Sequence, residues 1–265
     1  MRFTILGCGS SGGVPRIGQG WGDCDPNNPK NRRRRCALLV ERISAKGKTT
    51  VLVDTGPDLR DQLLGANVTR LDGVLYTHDH ADHTHGIDDV RPLVIAQGKR
   101  IDVYMDEQTS RVMNARFSYC FHTPKGSEYP PIVTERRLSV GKPVTITGEG
   151  GPIEALPILH QHGSNMTALG FRFGGLAYSP DVNALSPESA AALQNLDVWL
   201  LDALRYRRHP SHFSVEEAVE WIARLKPKHG VLTNLHSDID FEKLRVALPA
   251  GIEPAYDGWR IELPG

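Results

Sequence analysis

Cysteine is scarce in this chain of 265 residues: Cys8, Cys24, Cys36 and Cys120 lie far apart and form no Cys-x-x-Cys pair. That excludes a disulfide framework and a self-contained zinc knuckle. Net charge is missing too, with 31 Lys plus Arg set against 31 Asp plus Glu. No global field therefore draws the chain toward nucleic acid or an anionic membrane, and any anion recognition has to be local. No apolar run approaches ~18 residues, so no transmembrane helix is expected. The opening Met1-Arg2-Phe3-Thr4-Ile5-Leu6-Gly7 reads as a strand with no basic-then-apolar leader ahead of it, and the expected location is the cytoplasm. The Gly/Ser-rich turn from Gly7 to Pro15 lacks the Gly-Lys-Ser/Thr ending of a phosphate loop and no helical pattern follows, so it reads as a tight turn. Arg32 to Arg35 carry no interleaved aromatics and read as a solvated loop.

Histidine is where the sequence is rich. Tyr76-Thr77-His78-Asp79-His80-Ala81-Asp82-His83 follows the apolar Gly73-Val74-Leu75. Imidazoles and carboxylates packed this densely do not suit a core, where each would need a hydrogen bond or neutralisation. A metal meets that need. A strand leaving the sheet at Leu75 puts His78 and His80 on one side, and a helix beginning near His80 turns Asp82 and His83 toward a second ion. Imidazole with carboxylate suits Zn, Mn or Fe(II). His-x-His-x-Asp-His after a β-strand resembles the signature of the metallo-β-lactamase superfamily, hydrolases of αββα architecture with a mono- or dinuclear metal centre.

Strands are expected at residues 36–43, 49–53, 71–76, 101–104, 138–140, 144–147, 153–159, 168–173, 176–178, 198–201, 229–232 and 259–262. Helices are expected at 58–64, 106–116, 187–193, 215–225 and 241–248, with another after His83 that Pro92 ends. The aromatic run 117–122 reads as core. Beta-rich runs with interspersed helices, without strict βαβ order, fit two sheets face to face with helices outside. The expected fold is therefore α/β (α+β), a four-layer αββα sandwich, as one domain over residues 1–265 with no linker.

The remaining ligands should end apolar strands as His78 does. His162 in His160-Gln161-His162-Gly163-Ser164, Asp181 in Ser179-Pro180-Asp181 and His236 in Thr233-Asn234-Leu235-His236 meet that condition. His160 rivals His162; the Gly163-Ser164 turn and the superfamily's His-Gly context favour His162. On this reading His78, His80 and His162 hold one ion, Asp82, His83 and His236 hold the other, and Asp181 bridges them, with a water or hydroxide between two ions ~3.5–4 Å apart.

A wider set of motifs covers nearly the whole chain: Gly-x-Gly-x-Ser-x-Gly-Val-Pro at 7–15, the arginines at 32–35, Phe-x-Tyr-x-Phe at 117–121, Ser-Pro-Asp at 179–181, His209-Pro210-Ser211-His212-Phe213 and Ala255-Tyr256-Asp257-Gly258. Together they resemble the PhnP-like phosphodiesterases. The resemblance implies a metal-dependent hydrolase of a small cyclic phosphodiester, with two divalent ions, Mn or Zn, as cofactors. It assigns catalytic roles to Asp82 and His212, the latter giving a proton to the leaving alkoxide, and phosphate contacts to Arg205 and Arg207. The implied partner is the small substrate, with neither membrane nor nucleic acid, since the basic Gly-rich insertion of the tRNA-processing relatives is missing; a homodimer is compatible with it. Two departures stand out. Trp21-Gly22-Asp23-Cys24 replaces the branch's Cys-x-Cys-x-x-Cys cluster, and Thr233-Asn234 stands where the branch often reads Thr-His. The competing readings are a thioester or lactam hydrolase and a non-hydrolytic metal-binding protein; the late ligands contain no cysteine, which disfavours the former.

Overall fold

The structure, a computed structural model, describes residues 1–264. Its strands are β1 (Arg2–Gly7), β2 (Ala37–Ser44), β3 (Gly47–Val53), β4 (Gly73–Leu75), β5 (Ile101–Met105), β6 (Val133–Arg137), β7 (Val144–Gly148), β8 (Gly151–Gln161), β9 (Thr167–Phe173), β10 (Leu176–Ser179), β11 (Val198–Asp202), β12 (His229–Thr233), β13 (Ile252–Pro254) and β14 (Arg260–Glu262). Runs such as Leu38-Leu39-Val40, Val51-Leu52-Val53 and Trp199-Leu200-Leu201 are buried along their whole length. A strand can be apolar without alternation only if both of its faces are covered.

Two sheets satisfy that condition. One has the order β14-β1-β2-β3-β4-β5-β6 and the other β13-β12-β11-β10-β9-β8-β7. In each, an antiparallel meander passes into three parallel pairings: β3 with β4, β4 with β5 and β5 with β6 in the first, and β10 with β11, β11 with β12 and β12 with β13 in the second. Between the sheets lies a core of Phe3, Ile5, Leu38, Val40, Phe171, Phe173 and Leu200. Leu39, Leu52 and Val74 face outward and pack in one cluster with Met113 of the helical layer above them, and Trp199 and Leu201 pack likewise with Ile222 and Leu244 of the other layer. Period-two alternation thus sends neighbouring residues of one strand into different cores, and the four-layer αββα sandwich is the result. No described helix is long and apolar enough to cross a membrane.

Four local expectations are corrected. The strand expected at 138–140 is instead β6, just before it; Arg136 and Arg137 there face out while Val133 and Leu138 are buried. Pro92 does not end a helix but opens one, Arg91–Gln97, because its missing N–H costs nothing in a first turn. Residues 117–122 are split: a short helix, Ser118–Phe121, buries Cys120 and Phe121 and leaves Tyr119 exposed. The arginine run is not a solvated loop. Arg33 is 2% exposed and donates to the His236 carbonyl and the Asn31 amide oxygen, and Arg34 and Arg35 pair with Asp257 at 3.0 Å and Asp58 at 2.9 Å. These contacts brace the N-terminal loop against distant chain.

Phe171, wholly buried between the sheets, tests the inner core. Phe171→Ala should lower unfolding stability by about 3–5 kcal/mol, measured as a shift in urea midpoint at unchanged slope.

Candidate metal centre

The parallel strands of both sheets point their carboxyl ends at one place, the position at which open α/β sheets present their sites. Past β3 stands Asp54, past β4 the segment Thr77 to His83, past β8 His162, past β10 Asp181, at the end of β11 Asp202 and past β12 Asn234. His80 is extended and precedes the helix Ala81–Thr84, so the backbone changes direction between the two halves of the motif as its spacing predicts.

Asp181 sits at the centre and its two oxygens face different partners. Oδ2 lies 3.4 Å from His78 Nε2 and 3.5 Å from His162 Nε2, and His162 Nε2 lies 3.3 Å from His80 Nδ1. Oδ1 lies 3.6 Å from His83 Nε2, which is itself 3.4 Å from Asp82 Oδ2. Such separations are too long for good N–H···O bonds. They match the edges of a coordination tetrahedron whose metal–ligand bonds are about 2.1 Å. His78 Nε2 and His83 Nε2 are buried with no hydrogen-bond partner, an expense that a polar atom bears only where a ligand satisfies it. The donor set therefore fits divalent metal.

The outward nitrogens are held from behind. His83 Nδ1 is 2.7 Å from Asp54, whose other contacts are the Thr77 backbone N–H and hydroxyl at 2.8 Å. His162 Nδ1 donates to the Ser211 carbonyl at 2.8 Å, which leaves Nε2 as the acceptor. These partners fix ring orientation and tautomer. Burial, reinforced by neighbouring imidazoles, holds His78 well below the usual histidine range, and burial likewise lowers His162. Both are neutral, as a ligand must be. Burial works in the same direction on His83, but Asp181, Asp82 and Asp54 more than reverse it, so its pKa is raised.

His160 does not belong to the cluster. It is wholly buried near the Ser179 hydroxyl at 3.4 Å, and burial pushes its pKa down to about 3. Between the two histidines the structure brings His162 to Asp181.

His212 lies beside the cluster, on the loop between β11 and the helix Val215–Leu225. Ser214 and Glu217 form a capping box that fixes this helix start. His212 Nδ1 is 2.7 Å from the fully buried Asp202. Burial would lower the imidazole, yet the adjacent carboxylate outweighs it and pushes it up to about 9. A pocket of about 300 Å³ is lined by His80, Asp82, His162, Asp181 and His212 together with Ser10, Arg16, Arg205, His209 and His236.

Two expected residues are placed elsewhere. His236 reaches the pocket wall but not the metal-ligand cluster: its Nε2 contacts the Arg16 guanidinium and its Nδ1 lies 3.1 Å from Asp238. The backbone explains this. Asn234 takes a left-handed conformation with φ of 62°, after which Leu235 N–H binds the Cys8 carbonyl and His236 N–H the Leu204 carbonyl, at 2.8 and 2.9 Å. The chain is led away, and Asn234 itself occupies the place beside Asp181, its amide 3.1 Å from Oδ1. Arg207 lines a neighbouring pocket with Tyr206, Asp238 and Lys243, whereas Arg205 lines both. Among the residues not anticipated are Arg16, Asn234 and Asp202. Asp202 carried a readable signal, since it ends the apolar run Val198 to Leu201.

The family described as "Beta-lactamase superfamily domain" matches residues 49–234. A solved diphosphatase from the PhnP family superposes with a TM-score of 0.88 at 34% identity, covering 99% of this chain and 98% of that one. Zn(2+)-bound PqqB from Methylobacterium extorquens shares the fold, with a TM-score of 0.77 at 16% identity, covering 99% of this chain and 100% of that one. Among curated proteins, an octanoyltransferase of Porphyromonas gingivalis is 31% identical over 261 residues, which are 97% of this chain and 51% of that protein. The chain thus spans about half the length of that relative. The matched stretch carries the whole histidine motif, His162 and Asp181, and the likeness to the PhnP-family structure extends across both sheets: the chain belongs to the metallo-β-lactamase superfamily of hydrolases and, within it, to the PhnP family.

Proposed function

We propose that the protein is a metal-dependent phosphodiesterase that cleaves a small cyclic phosphodiester at the pocket between Asp181 and His212. The observation that carries this reading is a carboxylate, Asp181, set between His78 and His162 on one side and His83 with Asp82 on the other, with His212, its pKa raised beside Asp202, on the same pocket wall. Thioester or lactam hydrolysis would need neither that imidazole nor the two arginines, Arg16 and Arg205, on the same pocket.

His78, His80 and His162 would hold one divalent ion, Mn or Zn, Asp82 and His83 a second, and Asp181 would be common to both. Ions held there supply Lewis acidity toward phosphoryl oxygens and an activated water nucleophile. The chain's own groups do the rest. Arg16 and Arg205 place guanidinium groups on the pocket wall, where they orient an anionic ester and offset charge on its oxygens. His212 is fixed through Nδ1 by Asp202, which leaves Nε2 to deliver a proton to the departing alkoxide, a poor leaving group without one. Asp202 keeps the proton on the imidazole and the ring in one orientation, and the amide of Asn234, 3.2 Å from its other oxygen, holds Asp202 in turn.

A second reading, cleavage of a diphosphate linkage, is supported by the pair of arginines and by the description of the PhnP-family neighbour as a diphosphatase. The two readings differ in how much the leaving group needs a proton.

His212→Ala should cost about 10²- to 10⁴-fold in kcat on an alkyl or cyclic phosphodiester and much less on bis(p-nitrophenyl) phosphate, whose phenolate leaves unaided. Equal losses on both esters would remove His212 as the proton donor; a wild-type enzyme inert to diesters but active on diphosphates would favour the second reading. Asp202→Asn should reproduce the same selectivity between leaving groups while leaving metal content intact, because it acts only through the orientation and charge of His212.

A further inference from the structure

One helix of the outer layer turns its apolar side outward. Pro92-Leu93-Val94-Ile95-Ala96 form the body of the helix Arg91–Gln97, yet none of its seven residues is buried. Leu93 and Val94 lean on the outer core of the first sheet, while Pro92, Ile95 and Ala96 are exposed, Ile95 at 74%. A helix on the surface of a folded chain turns its polar side to water, and one that is apolar all round is normally covered. Tyr119 and Tyr129 are exposed at 39% and 77%, and with Arg91, Pro124 and Ser127 they line a hollow of about 330 Å³. Apolar groups gathered in one patch rather than scattered mark a surface that another molecule covers. The charges at its two ends are sorted by sign. Asp88 and Asp89 precede the helix, Lys99 and Arg100 follow the left-handed Gly98 that ends it, and all four are exposed.

We propose that this face joins two copies of the chain in a two-fold homodimer, the helices Arg91–Gln97 packing antiparallel about an axis at Val94. A two-fold interface has to be self-complementary, because each patch meets its own copy. This patch meets that condition. Antiparallel pairing centred on Val94 sets Asp89 of one copy against Lys99 of the other and Asp88 against Arg100, with Pro92 against Ala96 between them, and symmetry repeats each pair. Ile95 lies one turn beyond Arg91 on the same side of its helix, so in the pair it comes beside the other copy's Arg91 and enters the hollow walled by Tyr119 and Tyr129. Burial of Ile95 and the two tyrosines supplies the apolar driving force, and the end charges fix the direction of pairing, since a parallel pair would set like charges together. A partner of a single sign, such as nucleic acid or an anionic membrane, would meet Asp88 and Asp89 as well as the basic end. None of these residues lines the pocket beside Asp181 or belongs to its histidine cluster, so the inference stands apart from the metal chemistry and from the choice of substrate.

The experiment is sedimentation velocity with light scattering on the full chain, from about 1 to about 100 μM. The wild type should run at twice the mass of one chain. Ile95→Asp, at a position exposed in the single chain, should keep the circular dichroism spectrum and weaken association by about 30-fold or more. Asp89→Lys and the double variant Lys99→Glu/Arg100→Glu should each weaken it by about 10-fold, because like charges then face each other, and an equimolar mixture of the two should recover a heterodimer of near wild-type affinity. No misfolded variant would show that recovery. A wild type that stays monomeric throughout the range would overturn the proposal. So would a dimer that Ile95→Asp leaves intact, and a dimer indifferent to the charge exchange would overturn the antiparallel pairing.

Discussion

The carboxylate of Asp181 is the constraint on which the rest depends. It is 3% exposed, and a buried anion needs cations or donors on every side. Here the nearest groups are His78 and His162, whose pKa values burial lowers, His83, whose pKa the surrounding carboxylates raise, and the amide of Asn234. His78 and His83 carry buried nitrogens with no partner in the protein. An arrangement of that kind is unstable on its own and becomes favourable once divalent charge is shared across the two oxygens, which couples metal binding to the folded state. The β10–β11–β12 parallel order delivers Asp181, Asp202 and Asn234 side by side, and the β3–β4 pair delivers Asp54 and the histidine motif opposite them. The site therefore depends on the two sheets being stacked in register, which is the work of the Phe3, Phe171 and Phe173 core.

Around that centre the polar groups form two relays of the same design. Asp54 stands behind His83 and Asp202 stands behind His212, each at 2.7 Å through Nδ1. A buried carboxylate behind an imidazole fixes which nitrogen faces the pocket. On the proposed function one relay would end on a metal ligand and the other on a proton donor, the same local chemistry at the ends of the two sheets. Asn234 ties the second relay to Asp181.

Much of this was legible in the residues. The strand-end rule drawn from His78 pointed to His162 and Asp181, which the structure brings together with His78 and His80, because short apolar runs before a polar residue are what a doubly covered sheet produces. Applied to Val198 to Leu201 it would have found Asp202 as well. The rule failed at His236, where the decision lies in a single left-handed residue, Asn234: direction after a strand is set by one φ value and by pairing to Cys8 and Leu204, which lie far away in sequence. Arg16 was invisible for a similar reason, since a loop tied by long-range backbone bonds such as Val14 to Arg33 places it on the pocket. Pro92 could open or end a helix on local grounds, and only the packing of Val90 and the following turn settles which.

On the proposed function Asp181 would serve both metal positions, and hydrolysis would depend on it. Metal content and phosphodiesterase rate, measured together on purified Asp181→Asn whose folding is verified by circular dichroism, test that claim most directly. Loss of bound metal at both positions together with a fall in rate of about 10³-fold or more, equivalent to about 4 kcal/mol of barrier, is the predicted result. Retention of a full metal complement with near wild-type rate would contradict it.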